Sequence, residues 1–223
     1  MGSDGAAHEA CYHVAARHPC RKASEMRAIL FDLDGTLLDL DTAAFMRRYF
    51  QAIRRIETPG WDGNLLDAVA IGTEEMLGRH PGRTNADVFW QRFEDITGRP
   101  QHEWLPVFEE FYRSGFPGLR EGAGPNEDHR LAWAGLSELP DDVLVTSYET
   151  STACKPWPEY FSEVARRIGV PPSDCLMVGD DPSMDLGSRD AGMKAWLLDE
   201  ARAGWAADYV GSLDELADFI KRC

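Results

Sequence analysis

"RAILFDLDGTLLD" (Arg27–Asp39) runs a short apolar segment straight into two aspartates spaced two apart, Asp32 and Asp34, and then into Gly35-Thr36. An apolar run of this length, closed by a turn at Asp34-Gly35, reads as a buried strand over 27–31. Two carboxylates at its end repel each other, which is costly unless a cation sits beside them.

The same kind of apolar run recurs downstream. "VLVTS" (143–147), "CLMVGDD" (175–181) and "KAWLLD" (194–199) are further strand candidates. Helical patterns separate them: about 126–136, 157–168 ending at Gly169 as a C-cap would, about 185–191, and a final "SLDELADFIKR". Short apolar strands alternating with helices imply a parallel sheet covered on both faces. From about Asp41 to Tyr112 the text is helical instead, with Gly or Pro between segments such as "TAAFMRRYFQAIRRI" and "NADVFWQRFEDIT". Phe89, Trp90 and Phe93 form an aromatic stripe that reads as packing. The expected fold class is α/β, a three-layer Rossmann-like parallel sheet core with an inserted α-helical cap. Residues 26–40 and 118–223 form the core in this reading and 41–117 the cap. Residues 1–25 show little periodicity and are expected to be a disordered extension. His8, His13 and His18 with Cys11 and Cys20 lack zinc-finger spacing, so no metal site is assigned there.

Composition narrows the partners. At 223 residues the chain can hold one sizeable core, or a core and a small accessory domain. A net charge of -15 argues against nucleic acid and anionic membrane, and means that any anionic substrate needs a local cation. The five cysteines are scattered, with no C-x-x-C pair, which fits a reduced cytoplasmic setting without structural zinc. No apolar run approaches the ~18 residues of a membrane span, and the start lacks the apolar block of a signal peptide. Oligomeric state is not legible.

In an open parallel sheet, ligands bind beyond the carboxyl ends of the strands. Asp32 and Asp34 follow the first strand, while Asp180, Asp181 and Asp185 follow "CLMVG". These two acidic clusters would meet at one edge, and a hard cation between them would relieve the crowding. Mg²⁺ suits such a site, since it takes carboxylate and water oxygens together with a substrate phosphate. Mg²⁺ is therefore the implied cofactor.

"DLDGTLLD" resembles motif I of the haloacid dehalogenase-like (HAD) hydrolase superfamily, Lys155-Pro156 is similar to its motif III, and "VGDDPSMD" to its acidic motif IV. The order along the chain matches, over about Met26 to Ile220. The resemblance implies a phosphatase-type member with a C1 helical cap. Asp32 would be the nucleophile that forms an aspartyl-phosphate, and Asp34 the general acid and then base. Lys155 would stabilise charge on Asp32 and on the phosphoryl oxygens. Mg²⁺ would be held by Asp32, the Asp34 backbone carbonyl and Asp180, with Asp185 in support. Asp34 favours phosphoester hydrolysis over dehalogenation, because an alkoxide leaving group needs a proton. A C1-type cap implies a small phosphorylated metabolite as substrate. Arg47, Arg48, Arg54, Arg79 and Arg83 are candidate anion contacts, most of them expected on the surface, and Asp39 and Asp41 read as solvated loop carboxylates.

One part of the pattern is out of place. Motif II is a strand ending in a Ser or Thr that binds the phosphoryl group, with a further strand before the motif III lysine. Here only "VLVTS" lies between the cap and Lys155, and the eight positions from Ser147 to Lys155 are too few for a parallel crossover of ~12 residues. Either Thr146 or Ser147 serves as motif II, or "VLVTS" is the later strand and the motif II unit is missing from between about Asn126 and Leu131. The text around "WAGL" and "CKPWPEY" favours the second. Two functions follow: a Mg²⁺-dependent phosphatase, or a catalytically impaired HAD-like protein that binds a phosphometabolite or a protein partner.

Overall fold

The computed structural model describes residues 13–17, 26–119, 130–198, 204 and 206–222. These fall into two compact units. One is helical and takes in the described residues of Leu40–Ser137 and Ser147–Ala153; the other carries the sheet and comprises the described residues of Tyr12–Asp39, Glu138–Thr146 and Cys154–Cys223. The helical unit thus includes 147–153 and the described residues between 118 and 137, beyond the 41–117 insert expected from sequence. The part of the expected 126–136 helix before residue 130 lies outside the described residues.

The sheet has six strands: β1 (His13–Arg17), β2 (Ala28–Asp32), β3 (Val143–Thr146), β4 (Cys175–Gly179), β5 (Lys194–Leu198) and β6 (Tyr209–Gly211). Their order is β3-β1-β2-β4-β5-β6. β2, β4, β5 and β6 pair in parallel. β1 is antiparallel to both of its neighbours, so β3 runs in the same direction as β2.

Two strands were not foreseen. β6 is only three residues long, below what an apolar-run reading detects. β1 lies inside the stretch expected to be disordered, and there the expectation is corrected for residues 13–17; the rest of 1–25 lies outside the described residues. "HVAAR" is inconspicuous because its middle is small alanines. Its place in the sheet explains its order: without it, β2 and β3 would each present a row of unpaired backbone groups.

Burial follows the parallel pattern. Every residue of β4 is buried. On one face Ile29, Leu176, Val178, Trp196 and Leu216 form a core cluster, which draws in Phe219 and Ile220 of α9 (Leu213–Arg222). The alternate positions Ala28, Leu30, Cys175, Met177 and Leu197 belong to the opposite face and are equally buried. α6 (Pro158–Ile168) starts with proline in its first turn and ends at Gly169 with φ 68°. Between β4 and β5 lie the short helices α7 (Pro182–Asp185) and α8 (Gly187–Asp190).

The helical unit contains α1 (Thr42–Ile53), α2 (Leu65–Met76), α3 (Asn85–Thr97), α4 (Gln101–Glu110) and the short α5 (Arg130–Trp133). α3 opens on a reciprocal Thr84–Asp87 capping box and stops at Gly98, φ 67°. Its Phe89 and Phe93 are fully buried and stack on each other, and Phe93 packs with Trp104 and Phe108, as expected for an aromatic core. Asn85 and Ala86 donate backbone N–H bonds to the carbonyls of Ser151 and Tyr148, 2.8 and 3.0 Å long. Residues 147–153 therefore satisfy orphan donors of the first turn of α3. No described helix is long and apolar enough to cross a membrane.

Candidate active site

β2 and β4 are neighbours, paired through Phe31 and Val178, so Asp32 and Asp180 leave from adjacent strand ends. Beyond Asp32 the chain reverses tightly: Leu38 N–H donates to Leu33 O (2.8 Å) and Gly35 N–H to Leu38 O (2.9 Å). Gly35 holds φ +80°, and a Cβ added there would lie 2.6 to 2.9 Å from the carboxylate atoms of Asp180. Glycine is required here both for the left-handed backbone and for the close approach of that carboxylate. The Thr36 hydroxyl also faces Asp180 Oδ1, at 3.4 Å.

Lys155 follows the segment 147–153 at the return into the sheet unit. Its side chain is 3% exposed, and Nζ donates to Asp32 Oδ1 at 3.0 Å and to Asp185 Oδ1. Asp185, 1% exposed, also accepts from the Asp181 backbone N–H at 3.1 Å. Its carboxylate rests on Gly179, where any Cβ would overlap it. Burial works against the charge on Lys155, but Asp185 and Asp32 outweigh it, and its pKa is raised. Burial also raises the pKa of Asp185, with Lys155 pulling the other way and Asp32 adding to the rise. The result is a buried, fully charged ammonium held against one oxygen of Asp32.

Among the described residues no three His, Cys, Asp or Glu side chains gather as a ready-made metal cluster. Mg²⁺ does not need one, since it is usually held by one or two carboxylates while keeping waters and substrate oxygens. The side-chain-free cradle at Gly35, into which Asp180 leans, gives a hard oxygen donor beside the turn that follows Asp32. This donor chemistry fits Mg²⁺. Asp185, expected to support the metal, gives its carboxylate to Lys155 and to the Asp181 N–H.

The expected hydroxyl is elsewhere. Thr146, fully buried at the end of β3, shares a 2.9 Å hydrogen bond with the Tyr160 hydroxyl. β1 separates β3 from β2, so Thr146 stands two strands from Asp32. Ser147 belongs to the helical unit, its Oγ 3.5 Å from Thr150 Oγ1. "VLVTS" is thus a later strand, and no described residue range supplies a parallel strand next to β2 on that side.

Other candidates resolve individually. Asp181, not Asp180, caps α7, accepting from Ser183 N–H at 2.8 Å. Asp41, read as a solvated loop residue, is the N-cap of α1 and accepts from Ala44 N–H at 2.8 Å. Arg47, Arg54, Arg79 and Arg83 are exposed, whereas Arg48 is half-buried. Gly35 and Gly179 were missed as site residues, although a glycine beside each acidic motif was visible in the sequence.

A model of the haloacid dehalogenase-like hydrolase family fits residues 26–188. The chain belongs to that family. It is 30% identical over 177 residues to a phosphoglycolate phosphatase of Xylella fastidiosa, covering 75% of this chain and 77% of that protein. It is 29% identical over 229 residues to the N-acetylmuramic acid 6-phosphate phosphatase of Pseudomonas aeruginosa, covering 90% and 97%. Among solved structures, a beta-phosphoglucomutase from Clostridium difficile shares the fold at 16% identity, with a TM-score of 0.51 over 90% of this chain and 96% of that one. The chain is accordingly an enzyme, a hydrolase of the phosphatase type.

Proposed function

We propose that this protein hydrolyses a small phosphomonoester with the help of Mg²⁺, through a phosphoryl group carried briefly on Asp32. The observation that carries the reading is Lys155 Nζ, buried, charged and 3.0 Å from Asp32 Oδ1. It fixes the orientation of that carboxylate and leaves a cationic group where a phosphoryl oxygen would arrive.

In this mechanism the second Asp32 oxygen attacks phosphorus as the ester P–O bond breaks, and Asp34 gives its proton to the departing alkoxide. Water then attacks the acyl phosphate, Asp34 takes a proton from that water, and orthophosphate leaves with Asp32 restored. Asp32, the Asp34 carbonyl and Asp180 would hold Mg²⁺. Bound there, the ion would neutralise phosphoryl charge and offset the net charge of -15 that repels an anion. Asp185 acts through Lys155 as a positioning residue. The helical unit serves as the cap that selects the substrate and excludes water.

The two named relatives act on different phosphorylated metabolites, which supports a class of substrate and no single member of it. A reducing cytoplasmic setting is part of the reading, supported by the free, buried thiol of Cys175. The test is turnover of para-nitrophenyl phosphate by the purified chain with Mg²⁺ and with EDTA, alongside Asp32→Asn. Turnover that needs the metal and vanishes in the variant is expected. Activity surviving in Asp32→Asn would remove Asp32 from its role.

A further inference from the structure

The chain on either side of Lys155 is fixed at two backbone carbonyls. On the C-terminal side, Pro156 O sits against Gly187, where any added Cβ would overlap it. On the N-terminal side, the Asn85 side-chain amide donates to Ala153 O at 3.1 Å. Asn85 and Ala153 both belong to the helical unit. Along the chain a single residue, the fully buried Cys154, separates Ala153 from Lys155. Asn85 is itself 3% exposed. Asparagine at a helix start ordinarily caps the first turn. Here that task falls to Thr84, whose hydroxyl accepts from Asp87 N–H at 3.1 Å while the Asp87 carboxylate accepts from Thr84 N–H at 3.2 Å. The Asn85 amide is therefore directed outside its own helix.

We infer that Asn85 is a positioning residue for Lys155: its amide holds the chain two residues before the lysine, and so sets where Nζ stands against Asp32 and an arriving phosphoryl group. The inference rests on the phosphatase reading above and extends it. A phosphoryl group in transfer is stabilised by donors fixed in place before the reaction. A displacement of about 1 Å in such a group can cost about 10²-fold in rate. A buried carbonyl that loses its donor turns to find another, and a turn at Ala153 O is passed through Cys154 to the backbone of Lys155. The first turn of α3 makes two more bonds to this segment, from Asn85 and Ala86 N–H to Ser151 O and Tyr148 O. Both use backbone groups and lie further from Lys155. Of the three, the Asn85 side-chain bond is nearest the lysine and is the one that a substitution removes.

The test uses the full chain with Mg²⁺ at pH 8 and three readouts: turnover of para-nitrophenyl phosphate, affinity for orthophosphate by calorimetry, and melting temperature. The variants are Asn85→Ala, Asn85→Asp and Thr84→Ala. Asn85→Asp keeps the size of the side chain and suits the first turn of a helix, but an ionised carboxylate has no proton to donate. Thr84→Ala removes the cap of the same helix and leaves Ala153 O with its donor. Asn85→Ala and Thr84→Ala each melt about 2–4 °C below the wild type. In both Asn85 variants kcat falls by about tenfold to 10²-fold. Orthophosphate affinity falls by about tenfold, as for one weakened charge-assisted hydrogen bond. Thr84→Ala keeps wild-type kcat and affinity, which separates the hold on Lys155 from the stability of α3. Wild-type kcat and affinity in Asn85→Ala overturn the inference, as does an equal loss in Thr84→Ala. A wild type that binds orthophosphate without hydrolysing the ester overturns the phosphatase reading alone, and the affinities of the variants still decide the role of Asn85. A wild type that does neither overturns both.

Discussion

Thr146 and Tyr160 share a 2.9 Å hydrogen bond between their hydroxyls, buried at the end of β3. That bond ties strand to helix α6 and occupies the hydroxyl that the sequence offered as a phosphoryl ligand.

Thr146→Val should therefore be a stability variant. Removing one buried hydrogen bond costs about 1 kcal/mol, or more where a polar group is left behind. In a protein of this size that is a fall in melting temperature of about 2–4 °C. Turnover of an aryl phosphate should stay within about twofold, far from the 10²–10³ expected for a lost oxyanion donor. A steady-state assay with a thermal melt separates the two outcomes, and a hundredfold loss at unchanged stability would return Thr146 to the site.

Most of the sheet was legible because its strands are apolar runs bounded by turn residues, and parallel strands buried on both faces carry that signature. β2, β3, β4 and β5 were read within a residue or two at either end. The acidic residues were legible because their spacing sits directly after strands. What could not be read was relational. Nothing in "HVAAR" announces a strand, since its order comes from the slot between β2 and β3 and not from its own propensity. The pairing of Asp185 with Lys155 depends on burial at Gly179 that no local pattern encodes.

Lys155 holds two carboxylates at 3% exposure, so its loss leaves buried charge without compensation. Lys155→Met in EDTA should destabilise by about 3–5 kcal/mol. The pH dependence has a definite sign. The folded pKa of Lys155 is raised, so its contribution is complete below the unfolded value of about 10.4 and is lost as pH climbs through the folded one. The wild-type melting temperature should fall across that alkaline window more steeply than that of Lys155→Met. Parallel curves for the two proteins would mean that the ammonium contributes nothing.

Gly35 and Gly98 provide a matched pair. Both have positive φ, +80° and +67°, but a Cβ at Gly98 meets nothing within 4 Å, whereas one at Gly35 meets the Asp180 carboxylate at 2.6 Å. Each alanine substitution should cost about 1–2 kcal/mol of backbone strain. Only Gly35→Ala should also displace Asp180. If Asp180 holds Mg²⁺, the concentration needed for half of the metal-induced thermal stabilisation should rise about tenfold or more in Gly35→Ala. It should be unchanged in Gly98→Ala, which lies in the helical unit. Equal Mg²⁺ titrations for both variants would count against Asp180 as a ligand.

Ala15 is the central residue of β1, paired with Leu30 on one side and Leu144 on the other. A strand flanked on both sides has no free edge, and proline is found almost exclusively on edge strands or at bulges because it cannot donate to a ladder. Ala15→Pro therefore tests whether the N-terminal segment is part of the sheet, without shortening the chain. If β1 completes the sheet, the substitution removes a ladder hydrogen bond and leaves its acceptor unpaired, which should cost about 1–3 kcal/mol and lower the melting temperature by about 2–12 °C. It should also slow catalysis, since Asp32 stands at the end of the strand that β1 pairs with. Amide hydrogen exchange should show Ile29 and Leu30 losing protection in the variant, because their neighbouring strand has been loosened. Wild-type melting and protection in Ala15→Pro would mean that β2 finds its order without β1.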